Sequence, residues 1–377
     1  MKILFVSMPS IHFIRWIDNL KDQNWELYWF DVLDRGKIKT NIEIQQFTGW
    51  KHRKLSYMKG EYLLSKKAPF LHQKLRSLLE VTEAEQFEII LKEIRPDIVH
   101  SFEMQHCSYP LINTLSKKRY KNIKWVYSCW GSDLFFYKNF KRDKSKIQKA
   151  LKHIDYLHVD NRRDLVLARE LGYSNNLFGI IPGGSGYRIS NFKSHKRKII
   201  LVKGYQHKFG RALFAIKAIE QIWNKLNVEG WDVIVFAAHS EVKEYIRNNK
   251  LPFKVFDRKE LSHKQVLNYM NISSIYIGNS ISDGIPNTLI EAIKNEVFPI
   301  QSNPGNVTEE LIKHKENGFL ISNPESVEEI KHHIFAAIVD GNLRERAQLL
   351  NKAIAKKSFD YFNIKSEIIK NYRRIFK

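Results

Sequence analysis

Cysteine occurs only at Cys107 and Cys129 in 377 residues, which leaves no disulfide framework and no cysteine-built zinc site, and suits a reducing compartment. Long apolar runs are missing too. None reaches the roughly 18 residues a membrane span needs. The opening MKILFVSMPSIHFIRW meets His12, Arg15 and Asp18 and has no small-residue cleavage site, so it reads as a first buried strand and not as a signal peptide. There is no Walker loop, no HExxH, no Gly-x-Ser-x-Gly and no Asp-x-Asp, which leaves a triphosphatase, zinc hydrolase, serine hydrolase or metal-dependent transferase without a motif. The GGSG at 183–186 lacks the third glycine and the acid-ended second strand of a dinucleotide fingerprint. No metal or cofactor is called for. Acidic residues are scarce, 40 against 62 Lys and Arg, for a formal net charge of +22. That excess suits an anionic partner such as nucleic acid, a lipid surface or a phosphorylated substrate, or else reflects a lysine-rich composition.

Hydrophobic residues make up 43% of the chain, and its length suits two domains, each able to bury a core. Short β-rich runs alternate with helical periods: KILFVS, WELYWFDV, DIVHSF, IKWVYSCW, YLHVD and FGIIPG, then KIILVKG, WDVIVFAA, FKVFD, SIYIGNS and FPIQS. This is the βαβα pattern of α/β folds with parallel sheets covered by helices. The one aperiodic, basic interruption is YRISNFKSHKRK (187–198). The expected class is two doubly wound, Rossmann-like parallel-sheet domains, 1–190 and 191–360, facing a cleft where ligands lie beyond the carboxyl ends of the strands. A closing amphipathic helix, 361–377, either ends the second domain or crosses back to the first.

The stretch SDGIPNTLIEAIKN places Asp283 in a turn after a strand and Glu291 inside the helix that follows. Asn287 or Thr288 can cap that helix, whose first amides suit a phosphate, while Glu291 can accept from two vicinal hydroxyls of a ribose. Thr288 and Glu291 also satisfy a capping box, in which Glu291 only folds back on the cap. That alternative leaves Asp283 unexplained.

Asp283, Gly284 and Glu291, followed by FPIQSNPGNVTEEL and ENGFLI, resemble the donor-site signature of the family-4 retaining glycosyltransferases of GT-B fold, the type that builds bacterial surface polysaccharides. The usual first acid is Glu; here it is Asp. The resemblance implies that Glu291 binds the nucleotide ribose and Asp283 lies beside the donor sugar, with Gly284, Ile285, Asn287 and Thr288 lining the nucleotide. FGIIPGGSGY resembles the strand and turn that close the family's first lobe. In IILVKGYQHKFGRALFAIKAI the family's Arg and Lys pattern is altered, and Lys203, Gly204 and Arg211 are assigned to the donor diphosphate, with Lys208 read as a solvated surface cation. Two cations there would stabilise the departing nucleotide.

VYSCWGSDLFF resembles the family's "T-x-H-G-x-D" segment with Trp130 in place of the His. His106 and Asp133, each following a strand end, are the leading acceptor-side candidates, with His12, His100 and Glu103 behind them. The basic, aromatic-rich clusters at 49–76, 116–124 and 138–149 suit an anionic bilayer. The resemblance thus implies a metal-independent enzyme that moves a sugar from a nucleotide-sugar donor, a UDP-sugar, to a saccharide or lipid-linked acceptor. It would work in the cytoplasm, peripherally at the inner membrane face, with the first domain binding acceptor and the second binding donor. Alternatives are a nucleotide-sugar epimerase of the same fold and, in another class, a basic nucleic-acid-binding protein.

Overall fold

The computed structural model describes residues 1–189 and 196–376, without the side chains of Gln73 and Lys74. The expected domain limit at 190/191 lies outside the described residues. The chain divides into two compact units, one of residues 1–159, 166–180 and 367–377, the other of 160–165 and 181–366.

The first unit is built on β1 (Lys2–Ser7), β2 (Glu26–Asp31), β3 (Gln45–Phe47), β4 (Ile98–Phe102), β5 (Lys124–Ser128), β6 (Tyr156–Val159) and β7 (Asn176–Ile180). They form one sheet in the order β3-β2-β1-β4-β5-β6-β7, every pairing parallel. Central strands such as β4 are buried at every position, the run expected when helices cover both faces. The order reverses between β1 and β4, so the loops after them open the crevice where such sheets bind ligands.

The second unit contains β8 (Arg197–Lys203), β9 (Asp232–Ala238), β10 (Lys254–Asp257), β11 (Ser273–Gly278), β12 (Phe298–Ser302) and β13 (Phe319–Ile321), in the order β10-β9-β8-β11-β12-β13, again all parallel. Strand alternation sorts its core: Ile200 and Val202 pack with Ile216, Val235 and Ile275 on one face, while Leu201 packs with Tyr276, Ala292 and Val297 on the other. Here the reversal lies between β8 and β11, which puts the loops carrying Lys203 and Asp283 side by side.

The closing helix runs Tyr361–Arg374, and its last residues belong to the first unit. There the Tyr372 hydroxyl accepts from Trp16 Nε1 at 2.9 Å and bonds His100 Nδ1. His100 Nε2 continues to Ser128 Oγ and on to His158 Nδ1, 2.8 Å at each step. Burial holds His100 well below the ordinary histidine range. This candidate is a neutral member of a core network, not a group that meets ligand.

Candidate functional site

In the second unit the turn after β11 carries Asp283, which is half-buried and receives the Gly284 N–H at 3.0 Å. Burial pushes its carboxyl up, and the nearby Lys203 and Arg163 charges partly offset that. Arg163 was not singled out from sequence. Its guanidinium donates to the carbonyls of Asp283 at 2.7 Å and Pro304 at 2.6 Å, and pairs with Asp164 at 2.8 Å. It therefore fixes the backbone on which Asp283 stands.

The helix Asn287–Lys294 begins after Pro286 with no side-chain cap, so the capping-box alternative does not hold. The Thr288 hydroxyl bonds Tyr276 Oη at 2.9 Å. Glu291, whose side chain is 3% exposed, receives His263 Nε2 at 2.8 Å. A carboxylate that deep needs partners, and one of them is an imidazole from a different helix, His263–Ile272. Spacing gave no signal for His263.

Four other expected site residues make contacts within the protein. Gly204 donates its N–H to the Phe236 carbonyl at 2.8 Å, and a Cβ there would lie 2.7 Å from Ala238 Cα, so it is a glycine of close strand approach and has no amide to spare for phosphate. Ile285 is 3% exposed and packs with Leu289, Ile290 and Val307. Asn287 Oδ1 accepts from the Tyr187 hydroxyl at 3.1 Å. Arg211 stands just before the helix Ala212–Gln221, but its Nε pairs with Glu325 at 2.6 Å and its Nη1 donates to the carbonyls of Gly210 and His207 at 2.9 and 3.2 Å. Those bonds hold its Nε and Nη1 on Glu325 and on its own loop.

Lys203 does stand at the end of β8, its Nζ 4.4 Å from the centre of the Tyr205 ring. Around the same ring lie Arg258 at 5.6 Å and the imidazoles of His207 and His239, each at 5.4 Å. Among the described residues neither Lys203 nor Arg258 forms a close ion pair, although the Lys203 charge is felt by the Asp283 carboxyl, so positive groups gather here in a way that suits an anionic ligand.

In the first unit the loop after β4 enters a single wide turn, Met104–Ser108. Glu103 takes φ 74° and ψ 145°, a region essentially reserved for glycine and costly for any other residue. Its carboxylate accepts from the His106 N–H at 2.6 Å and from Nδ1 at 3.3 Å, which raises the affinity of His106 for its proton. The His106 side chain is 57% exposed, so this buried-acid, exposed-imidazole pair can meet solute. Asp133 cannot. It is buried and accepts from the Tyr127 hydroxyl at 2.6 Å, the Trp130 and Met104 amides at 3.0 and 3.1 Å, and Cys129 Sγ at 3.2 Å. Those bonds occupy the carboxylate and make Asp133 the pin that holds the Glu103–His106 turn against the loop after β5. The ring of Trp130 lies 5.4 Å from that of His12.

Comparisons with known proteins bear on both units. No curated protein sequence matches the chain. Residues 187–353 match the family model "Glycosyl transferases group 1", and residues 2–161 match "Glycosyl transferase 4-like". Among solved structures, HepE of Anabaena in complex with UDP has a TM-score of 0.69 at 14% identity, covering 99% of this chain and 100% of that one. Sucrose-phosphate synthase of Thermosynechococcus elongatus has a TM-score of 0.73 at 13% identity, covering 100% and 99%. A glycosyltransferase of Rickettsia africae has a TM-score of 0.63 at 16% identity, covering 100% and 98%. At such identities structural likeness speaks for the fold, and the family models carry the rest. With two parallel-sheet α/β units and a transferase model matched on each, the chain belongs to the GT-B glycosyltransferases.

Proposed function

We propose that this glycosyltransferase transfers a sugar with retention from a nucleotide-sugar, a UDP-sugar, to a saccharide or lipid-linked acceptor in the assembly of a cell-surface polysaccharide or glycan. The observation that carries the reading is Glu291: a buried carboxylate, steadied by His263, one turn into the helix that follows Asp283. A carboxylate in that place suits the two hydroxyls of a ribose. Asp283 would stand beside the donor sugar, with Lys203 facing the diphosphate. As the anomeric C–O bond to phosphate breaks, negative charge grows on the departing nucleotide, where a fixed cation is most effective. The acceptor oxygen then forms the new bond on the same face, and its proton passes to the released phosphate oxygen. No metal is needed in that sequence.

The acceptor side rests on the Glu103–His106 pair, whose exposed imidazole is suited to an acceptor hydroxyl. The helices Glu61–Lys67 and Pro69–Leu79 leave Tyr62, Leu63, Phe70, Leu71 and Leu78 exposed beside Lys66 and Lys67. Below them Arg53 grips the buried Glu61 through two 2.8 Å bonds. Apolar groups raised among lysines on an anchored segment suit an anionic bilayer, so we assign the enzyme to the cytoplasmic face of the membrane, held peripherally. No helix among the described residues is long and apolar enough to cross a membrane.

Thermal shift with UDP, GDP, ADP and CMP tests the donor assignment, since a ligand bound only by the folded state raises its stability by mass action. UDP is expected to shift the transition most. Equal shifts by all four, or none, would overturn the reading. HepE has been solved with UDP and glucose, which makes UDP-glucose the first donor to try.

A further inference from the structure

In the reading above Lys203 faces the donor diphosphate, while Arg211 Nε is held by Glu325. The loop between β8 and the helix Ala212–Gln221 supplies a further group. It doubles back sharply: Gln206 bridges to Arg211, the Ala212 N–H reaches the Tyr205 carbonyl at 3.2 Å, and a Cβ on Gly210 would fall 2.2 Å from that same carbonyl oxygen. At its tip the His207 ring turns inward, and Nδ1 lies 3.0 Å from the Phe209 N–H and 3.1 Å from the Gly210 N–H. Two amides pointing at one ring nitrogen require a lone pair there. The neutral ring therefore carries its proton on Nε2, and that N–H finds no acceptor among the described residues.

We infer that His207 is a positioning residue for the donor, a neutral imidazole fixed by its own loop so that Nε2–H donates to a diphosphate oxygen alongside Lys203. This rests on the reading of the second unit as a nucleotide-sugar site. The titratable and charged groups that face the ring are His239 at 5.2 Å, Tyr205 at 5.4 Å and, at longer range, Lys203 and Arg258. Apart from the tyrosine they are cations or groups that can become so, and with burial they hold His207 below the ordinary histidine range. The ring thus stays a neutral N–H donor where a free histidine would begin to titrate. A neutral donor suits this place, because a further full charge beside Lys203 and Arg258 would be costly before the ligand arrives.

The two ring nitrogens can be tested separately in the full chain by calorimetry with UDP. In His207→Asn the side-chain oxygen takes the place of Nδ1, so the loop amides keep an acceptor while the outward donor is lost. In His207→Gln an amide N–H stands near Nε2 and the inward acceptor is lost. Losing a hydrogen bond to a charged group corresponds to roughly a ten- to hundredfold loss of affinity. His207→Asn is expected to bind UDP that much more weakly, with His207→Gln nearer wild type. Imidazole ¹⁵N spectra of the wild type should show Nδ1 unprotonated and Nε2–H shifting when UDP is added. If His207→Asn binds like wild type, or if Nε2 does not respond to UDP, the ring only shapes the loop and the inference is overturned. If the wild type binds none of UDP, GDP, ADP or CMP, the reading of the unit as a donor site falls with it.

Discussion

Glu291 shows how one side chain can be read two ways until its partner is seen. Sequence spacing allowed it to close a capping box; the fold instead gives it to His263, 28 residues away, and buries it. For Glu291→Ala we expect nucleotide affinity to fall by about 1–3 kcal/mol, the usual cost of losing charge-assisted hydrogen bonds, with Glu291→Gln between the two. Calorimetry at a temperature where the variants remain folded checks this. A loss of melting temperature with unchanged affinity would mean that the carboxylate serves packing alone. Asp133 makes the opposite case. Its place after a strand end suggested chemistry, yet its oxygens are occupied by Tyr127, Trp130, Met104 and Cys129, and the residue left to face solute is His106.

The helices that carry His263 and Glu291 are tied together at their far ends. Lys196 Nζ donates to the carbonyls of Asn271 at 2.8 Å and Met270 at 3.4 Å, at the end of one helix, and of Asn295 at 2.6 Å, at the end of the other. Helix carboxyl ends leave carbonyls unmatched and favour a cation. Burial brings the ammonium down to about 8, so at pH 7 it is charged and able to donate to all three. Lys196→Met is expected to cost about 1–3 kcal/mol, read as a fall in melting temperature at pH 7. It should also weaken UDP binding, because the register that presents His263 to Glu291 is loosened. Strands were legible where they were long. Eleven of the runs read from sequence reappear, whereas β3 and β13, three residues each and both at sheet edges, were missed because three residues show no period.

On the scale of the whole molecule, the two units repeat one plan, a parallel sheet whose strand order reverses once and whose carboxyl ends carry the candidate groups. The +22 charge matters beyond either site, and in the first unit it coincides with exposed Tyr57, Tyr62, Leu63 and Phe70. Lys66→Glu with Lys67→Glu should reduce flotation with liposomes of acidic lipid and leave UDP affinity unchanged. Wild-type binding should weaken as salt shortens the Debye length from about 30 Å toward 10 Å. Flotation unaffected by the double substitution would return the charge to composition and the acceptor to a soluble saccharide. Lys74 belongs to the same basic cluster, but its side chain lies outside the described residues.

What the sequence by itself determined is what neighbours along the chain decide: the alternation of strands and helices, the parallel class that follows from it, and the turn that sets Asp283 ahead of a helix carrying Glu291. These depend on periods of two and of 3.6 residues and on the conformational habits of Gly and Pro. Only the tertiary structure decided which distant groups meet. Arg211 is bound by Glu325, 114 positions on. Asp283 receives its backbone support from Arg163, 120 positions earlier. The reason is physical: a cation and a carboxylate carry no mark of their partner, and whether a charge serves ligand or loop depends on which opposite charge the fold brings within about 4 Å of it.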